Sequence, residues 1–162
     1  LDEERLAFGK RRVTLSTSGY VQKLRAFLNK DYGVKIAISL HAPNQKLREV
    51  LMPKVAKENT LDELFKVLDQ FVEDTNKRVT YEYVLLKGLN DSVENAKELA
   101  NLLKGRLALV NLINYNEVGC LPFKKSTNAK TFQMVLQDNG INCTIRKSLG
   151  QDIKGACGQL AV

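Results

Sequence analysis

Two kinds of segment alternate along this chain, and that alternation restricts the fold more than any other feature. Short runs rich in β-branched and apolar residues, at 12–17, 34–41, 79–86, 107–115 and 142–147, read as strands. Between them lie segments with apolar residues three and four apart, at 20–30, 45–52, 60–75, 92–105 and 128–139, which read as helices. Strand then helix, repeated, predicts an α/β fold with a parallel sheet and helices outside it. In the second strand Val34, Ile36, Ile38 and Leu40 share one face, while Ala37, Ser39 and His41 share the other. The first face meets helices and the second, small and polar, faces inward. In the third strand Thr80 and Glu82 share that inward parity.

Local signals agree with the alternation. Asn44 caps the helix at 45–52, and Pro53 stops it. Thr60 with Glu63 forms a capping box for the long helix, whose stripe is Leu61, Leu64, Phe65, Leu68, Phe71 and Val72. Ser92 caps the next helix, and Gly105 and Gly140 close the last two. A closed eightfold barrel takes about 250 residues. Five strands in 162 residues therefore predict a part-barrel or an open sheet, without linker or repeat.

In parallel sheets of this kind, functional side chains gather at the carboxyl ends of the strands. The first strand ends Ser16-Thr17-Ser18-Gly19, the second Ser39-Leu40-His41, the fourth Asn114-Tyr115-Asn116 and the fifth Arg146-Lys147-Ser148. Each alone reads more simply as a strand-end cap or a satisfied hydrogen bond. Together they describe one rim of hydroxyls, amides and an imidazole, suited to a polar zwitterion or a nucleoside. His41 is the one histidine, so a metal site has too few ligands here and a hydrogen-bonding role is preferred.

The net charge of +7 points to a polyanionic partner such as RNA if the cations share a face. Lys54, Lys57, Lys87, Lys124, Lys125, Arg146, Lys147 and Lys154 follow strand ends, beside Tyr115 and Phe123, whose rings can stack on bases. Lys10, Arg11 and Arg12 precede the first strand, at the opposite rim. No apolar run approaches the ~20 residues of a membrane span. Three cysteines, at 120, 143 and 157, make neither a disulfide framework nor a C-x-x-C pair, which suits a reducing cytoplasm. Cys157 lies between glycines at 155 and 158 with Lys154 nearby. It reads either as a small residue buried near a chain end or as an accessible nucleophile whose thiolate is favoured by positive charge.

Five stretches, in order and at fitting intervals, carry a resemblance: 12–19 (RVTLSTSG), 38–44 (ISLHAPN), 82–86 (EYVLL), 111–116 (NLINYN) and 152–160, which ends ACGQL. Together the chain resembles the C-terminal half of the radical S-adenosylmethionine (SAM) RNA methyltransferases that modify adenine at C2. The resemblance implies a partial TIM-like (β/α) barrel across 1–162, with 148–162 as the tail carrying a methyl-carrier cysteine. It implies SAM contacts at Ser16, Ser39, Leu40, His41 and Asn116, and Cys157 as the residue methylated on sulfur before transfer. It implies a [4Fe–4S] cluster, rRNA and tRNA substrates, an electron donor such as flavodoxin or ferredoxin, and a cytoplasmic setting. RNA contacts are expected at Lys124, Lys125, Arg146 and Lys147. The family's C-x-x-x-C-x-x-C motif is absent, as are its glycine–glutamate segment and resolving cysteine, and all are expected upstream. The chain by itself is therefore expected to be inactive. Cys120 and Cys143 are expected to be structural, and Asn114 stands where the family usually has proline. A sibling activity on adenine C8, or a non-catalytic RNA-binding domain, is consistent with the same residues.

Overall fold

The computed structural model describes residues 9, 12–30, 32–117 and 121–146. Five parallel strands form one sheet: β1 (Thr14–Thr17), β2 (Lys35–Ser39), β3 (Val79–Leu85), β4 (Ala108–Asn114) and β5 (Cys143–Arg146). They lie in the order β1-β2-β3-β4-β5. Every crossover thus steps to the adjacent strand in one direction. With the right-handed crossovers that parallel strands require, all the helices fall on one face. That is the arrangement of a barrel wall, the one of the two open possibilities that the family resemblance favoured.

The helices are α1 (Val21–Leu28), α2 (Gln45–Leu51), α3 (Pro53–Glu58), α4 (Leu61–Thr75), α5 (Val93–Leu103) and α6 (Ala129–Asp138). Their starts follow the predicted caps. The Asn44 side chain accepts from the Leu47 N–H, and Thr60–Glu63 and Ser92–Asn95 form reciprocal capping boxes. Pro53 stops α2 as expected, and it is also the first residue of α3, where its fixed φ and missing N–H are tolerated.

Strand alternation sorts the side chains into two layers. On β3, Val79, Tyr81, Tyr83 and Leu85 are buried against the helices, while Thr80, Glu82 and Val84 are half-buried on the other face. The core joins Ile36, Ile38 and Leu40 of β2 and Val110 and Leu112 of β4 to Leu64 and Leu68 of α4 and Leu99 and Leu103 of α5. Phe65 stacks on Tyr81, and Phe132 tilts against Tyr83, with ring centroids 5.6 and 5.2 Å apart. Burying a leucine completely contributes about 2 kcal/mol, so these layers fix the register of the sheet. The register in turn decides which polar residues reach the inner face and its rim.

Candidate ligand-binding rim at the carboxyl ends of the strands

Strand pairing places the inner-face residues in rows. Ser16 is level with Ala37, which is level with Thr80. One row nearer the carboxyl ends, Ser39, Glu82, Asn111 and Thr144 run across four strands. From Glu82 to Thr144 this row is joined by side-chain hydrogen bonds. Asn111 Nδ2 donates to both Glu82 carboxylate oxygens, at 3.2 and 3.0 Å, and the Thr144 hydroxyl donates to Asn111 Oδ1 at 3.1 Å. One row further, Val84 and Ile113 are level, and Ile113 pairs with Arg146. Arg146 is exposed on that same face.

His41 sits just past the end of β2 in an unusual conformation. Its φ of 57° lies in the left-handed region, sparsely used by any residue with a Cβ. The ring is held by Val84, whose N–H donates to Nδ1 at 3.2 Å. Because Nδ1 is an acceptor, the neutral ring carries its proton on Nε2. Burial, aided by the positive charge of Arg48, pushes the imidazole pKa down to about 4. At neutral pH His41 is therefore an uncharged Nε2–H donor, which suits the hydrogen-bonding role expected from the sequence.

Arg48 is fully buried on α2 and has no carboxylate partner among the described residues. Its guanidinium instead donates to the carbonyls of Ser18, at 2.7 Å, and Asn59, at 3.3 Å, while Nε has no partner. Asn59 Oδ1 in turn accepts from the Val21 N–H at 2.7 Å. These bonds fix the Ser18-Gly19 turn after β1. Gly19 has φ of +91°, which disfavours a side chain, and a Cβ there would also crowd Arg48 Nη2 and Leu64 at 3.1 Å.

Beyond β3, the segment 121–128 is pinned beside the rim. Leu86 bridges Lys125, and the Lys87 N–H donates to the Lys124 carbonyl at 3.0 Å. Asp91 accepts from the Ser126 hydroxyl at 2.5 Å and from Asn128 Nδ2 at 3.3 Å. Tyr115 meets Phe123 edge-on, with centroids 6.2 Å apart, and its hydroxyl is buried without a partner among the described residues.

The expected site residues separate accordingly. Ser16, Ser39 and His41 come together on adjacent strands, and Asn116 lies half-buried two residues past β4. Leu40 is fully buried with its side chain in the core, so only its backbone faces the rim. Lys124 and Lys125 are exposed, but Lys124 Nζ lies 3.4 Å from a Glu117 carboxylate that also accepts from the Lys125 N–H. Those bonds draw the Glu117 pKa below the usual carboxylate range, the Lys125 N–H first among them. Lys147, Cys120, Lys154 and the tail with Cys157 lie outside the described residues. Cys143 is buried, and desolvation raises its thiol pKa to about 12, in keeping with a structural role.

Among the described residues no three His, Cys, Asp or Glu side chains could hold a metal ion, and no helix is long and apolar enough to cross a membrane. A cavity of about 610 Å³ lies between α1 and α4, lined by Arg25, Leu28, Lys66 and Phe71 among others. It is on the outer layer, away from the polar rows. As site residues, Arg48, Asn59, Asn90 and Asp91 escape sequence reasoning, because each has a partner 30 or more residues away.

No family model matches. Over 157 residues, 96% of this chain, it is 45% identical to a probable dual-specificity RNA methyltransferase RlmN from Clostridium botulinum. It is 46% identical, over the same share, to one from Caldanaerobacter subterraneus subsp. tengcongensis. The chain spans about half the length of these curated relatives, 46% in each case. A crystal structure of a radical SAM methyltransferase from Sphaerobacter thermophilus superposes with a TM-score of 0.92 at 44% identity, covering 98% of this chain and 47% of that one. A domain of pyruvate-formate lyase-activating enzyme from Bacteroides vulgatus shares the fold alone, with a TM-score of 0.60 at 14% identity.

Proposed function

We propose that the chain is part of a radical SAM RNA methyltransferase and that its polar rim binds SAM. The full-length protein methylates adenine in large-subunit rRNA and in tRNA, at C2. The identity that runs through nearly the whole chain carries this reading. The rim fits SAM chemically. SAM offers ribose hydroxyls, adenine nitrogens, an ammonium and a carboxylate, and the rim offers the Ser16 and Ser39 hydroxyls, the Asn116 amide and the neutral Nε2–H of His41.

Bound SAM supplies the activated methyl group and, in radical SAM enzymes, the source of radical chemistry. This chain's residues bind and orient it. Arg48 fixes the Ser18-Gly19 turn, Val84 fixes the imidazole, and the Ser39–Glu82–Asn111–Thr144 row floors the site. The described residues do not fit an iron–sulfur cluster. Its ligands belong to the remainder of the full-length protein. Residues 1–162 form the second half of the partial barrel, with 148–162 as its catalytic tail, and Cys157 carries the methyl group on sulfur. Lys124, Lys125, Arg146 and Lys147 hold the RNA backbone. A flavodoxin or ferredoxin supplies electrons, in the cytoplasm.

The test is mass spectrometry of the full-length protein, with its cluster, after incubation with SAM, together with nucleoside analysis of the RNA. The expected result is Cys157 heavier by one methyl group in place of hydrogen and 2-methyladenosine in the RNA, both lost in Cys157→Ala. Unmodified Cys157 in active enzyme removes the carrier assignment. 8-Methyladenosine moves the protein to the sibling activity, and no methylated base in any RNA leaves an RNA-binding domain.

A further inference from the structure

Asn90 follows β3 in a turn and is fully buried, and each of its polar groups is bonded. Its Nδ2 donates to the carbonyl of His41 at 2.9 Å and to that of Val84 at 2.7 Å. Its Oδ1 accepts from the Leu86 N–H at 2.7 Å. Its own carbonyl accepts from the Tyr83 hydroxyl at 2.8 Å, and its N–H donates to the Leu86 carbonyl at 3.4 Å. One side chain thus ties the end of β2 to the end of β3 across 49 residues of sequence.

What it ties down is strained. A side chain with a Cβ is disfavoured in the left-handed region, and histidine less so than most. Such strain persists only where the surroundings over-determine it, and it concentrates at ligand sites. His41 is held there by three bonds. Its N–H shares the Glu82 carbonyl with the Leu40 N–H, at 3.3 and 3.0 Å. Its ring nitrogen accepts from Val84, and its carbonyl accepts from Asn90. Of the three, the Asn90 bond is the one made by another residue's side chain. Asn90 also grips the carbonyl of Val84, the residue whose N–H anchors the imidazole. It therefore controls both ends of the geometry: the peptide that carries the ring and the strand end that holds it.

We propose that Asn90 is a positioning residue for SAM, which locks His41 in its left-handed turn so that the ring presents its Nε2–H at the rim. The inference rests on the reading of His41 as a SAM contact. Asn90 does not touch the ligand and acts through His41. Tightness of SAM binding then depends on a residue that is walled off from the site.

The experiment is a double-mutant cycle on the full-length, cluster-loaded protein, with SAM affinity measured by isothermal titration calorimetry. The variants are Asn90→Ala, His41→Asn and the pair; asparagine at 41 tolerates the left-handed backbone but lacks the ring. Losing the Asn90 bonds is expected to raise the Kd for SAM about tenfold. Asn90→Ser, whose hydroxyl can still donate to one carbonyl, falls between and carries the cycle if the alanine variant does not fold. In the His41→Asn background the Asn90 change is expected to add less than about twofold, because residues acting through one group are not additive. An unchanged Kd in both Asn90 variants overturns the proposal and leaves the SAM rim standing. So does a full tenfold loss on top of His41→Asn, which shows an action not routed through the ring. If His41→Asn itself leaves SAM binding unchanged, the reading of the rim fails and this inference falls with it.

Discussion

Acidification is the perturbation that isolates His41. The folded protein protonates this imidazole only at about pH 4, against an ordinary 6.5, because burial and the neighbouring Arg48 charge disfavour the cation. The unfolded chain takes up the proton near 6.5, so between those values unfolding binds a proton. Stability is thus intact above about 6.5 and falls as the pH drops towards 4. Moving from pH 7.5 to 5.0 is expected to cost about 2 kcal/mol from this one group. Carboxylates add their own slopes at the lower end, so a non-titrating reference is needed. His41→Asn supplies it: asparagine accepts the left-handed φ, and its Oδ1 can accept from the Val84 N–H in place of Nδ1. Urea unfolding of both proteins across that pH range gives a difference curve in which the carboxylates cancel. The expected difference steepens towards about 1.4 kcal/mol per pH unit below 6. Parallel curves would show that His41 titrates normally, and the neutral-donor assignment at the rim would be withdrawn.

Two other perturbations bear on the rim. Arg48→Met leaves the Ser18 and Asn59 carbonyls without their buried donor and is expected to destabilise the protein by about 2–3 kcal/mol. It also removes a positive neighbour and so raises the His41 pKa, a shift that NMR titration of the ring reads directly. Changing Lys124 and Lys125 together to alanine is expected to weaken RNA binding and to lower the slope of log K against log salt by up to about two. An unchanged slope would mean that Lys124 serves only its pairing with Glu117 and that Lys125 is simply solvated.

Much of this arrangement could be read from residue order, because local rules decide it. The two-residue alternation of β2 and β3 gave the helix-facing and inner faces, and Thr60–Glu63 and Ser92 marked helix starts to the residue. Where a residue serves two local rules only one was read: proline ends helices and also begins them, and Pro53 does both. The harder misses are long-range. Arg48 bonds Ser18 thirty positions away, and Asn90 bonds His41 forty-nine away. Nothing local distinguishes Asn90 from any other turn asparagine, or Arg48 from a solvated helix cation, until the sheet brings their partners to them. The left-handed backbone of His41 was hidden for the same reason, since it is imposed by bonds from β3 and the turn after it rather than by its sequence neighbours.

Hydrogen–deuterium exchange of the full-length protein, with and without SAM, places the ligand most directly. Slowed exchange is expected at 16–19, 39–42 and 114–117, the segments after β1, β2 and β4, with the α1–α4 cavity unchanged. Protection confined to α1 and α4, with the strand ends exchanging as before, would move the ligand off the rim and contradict the account.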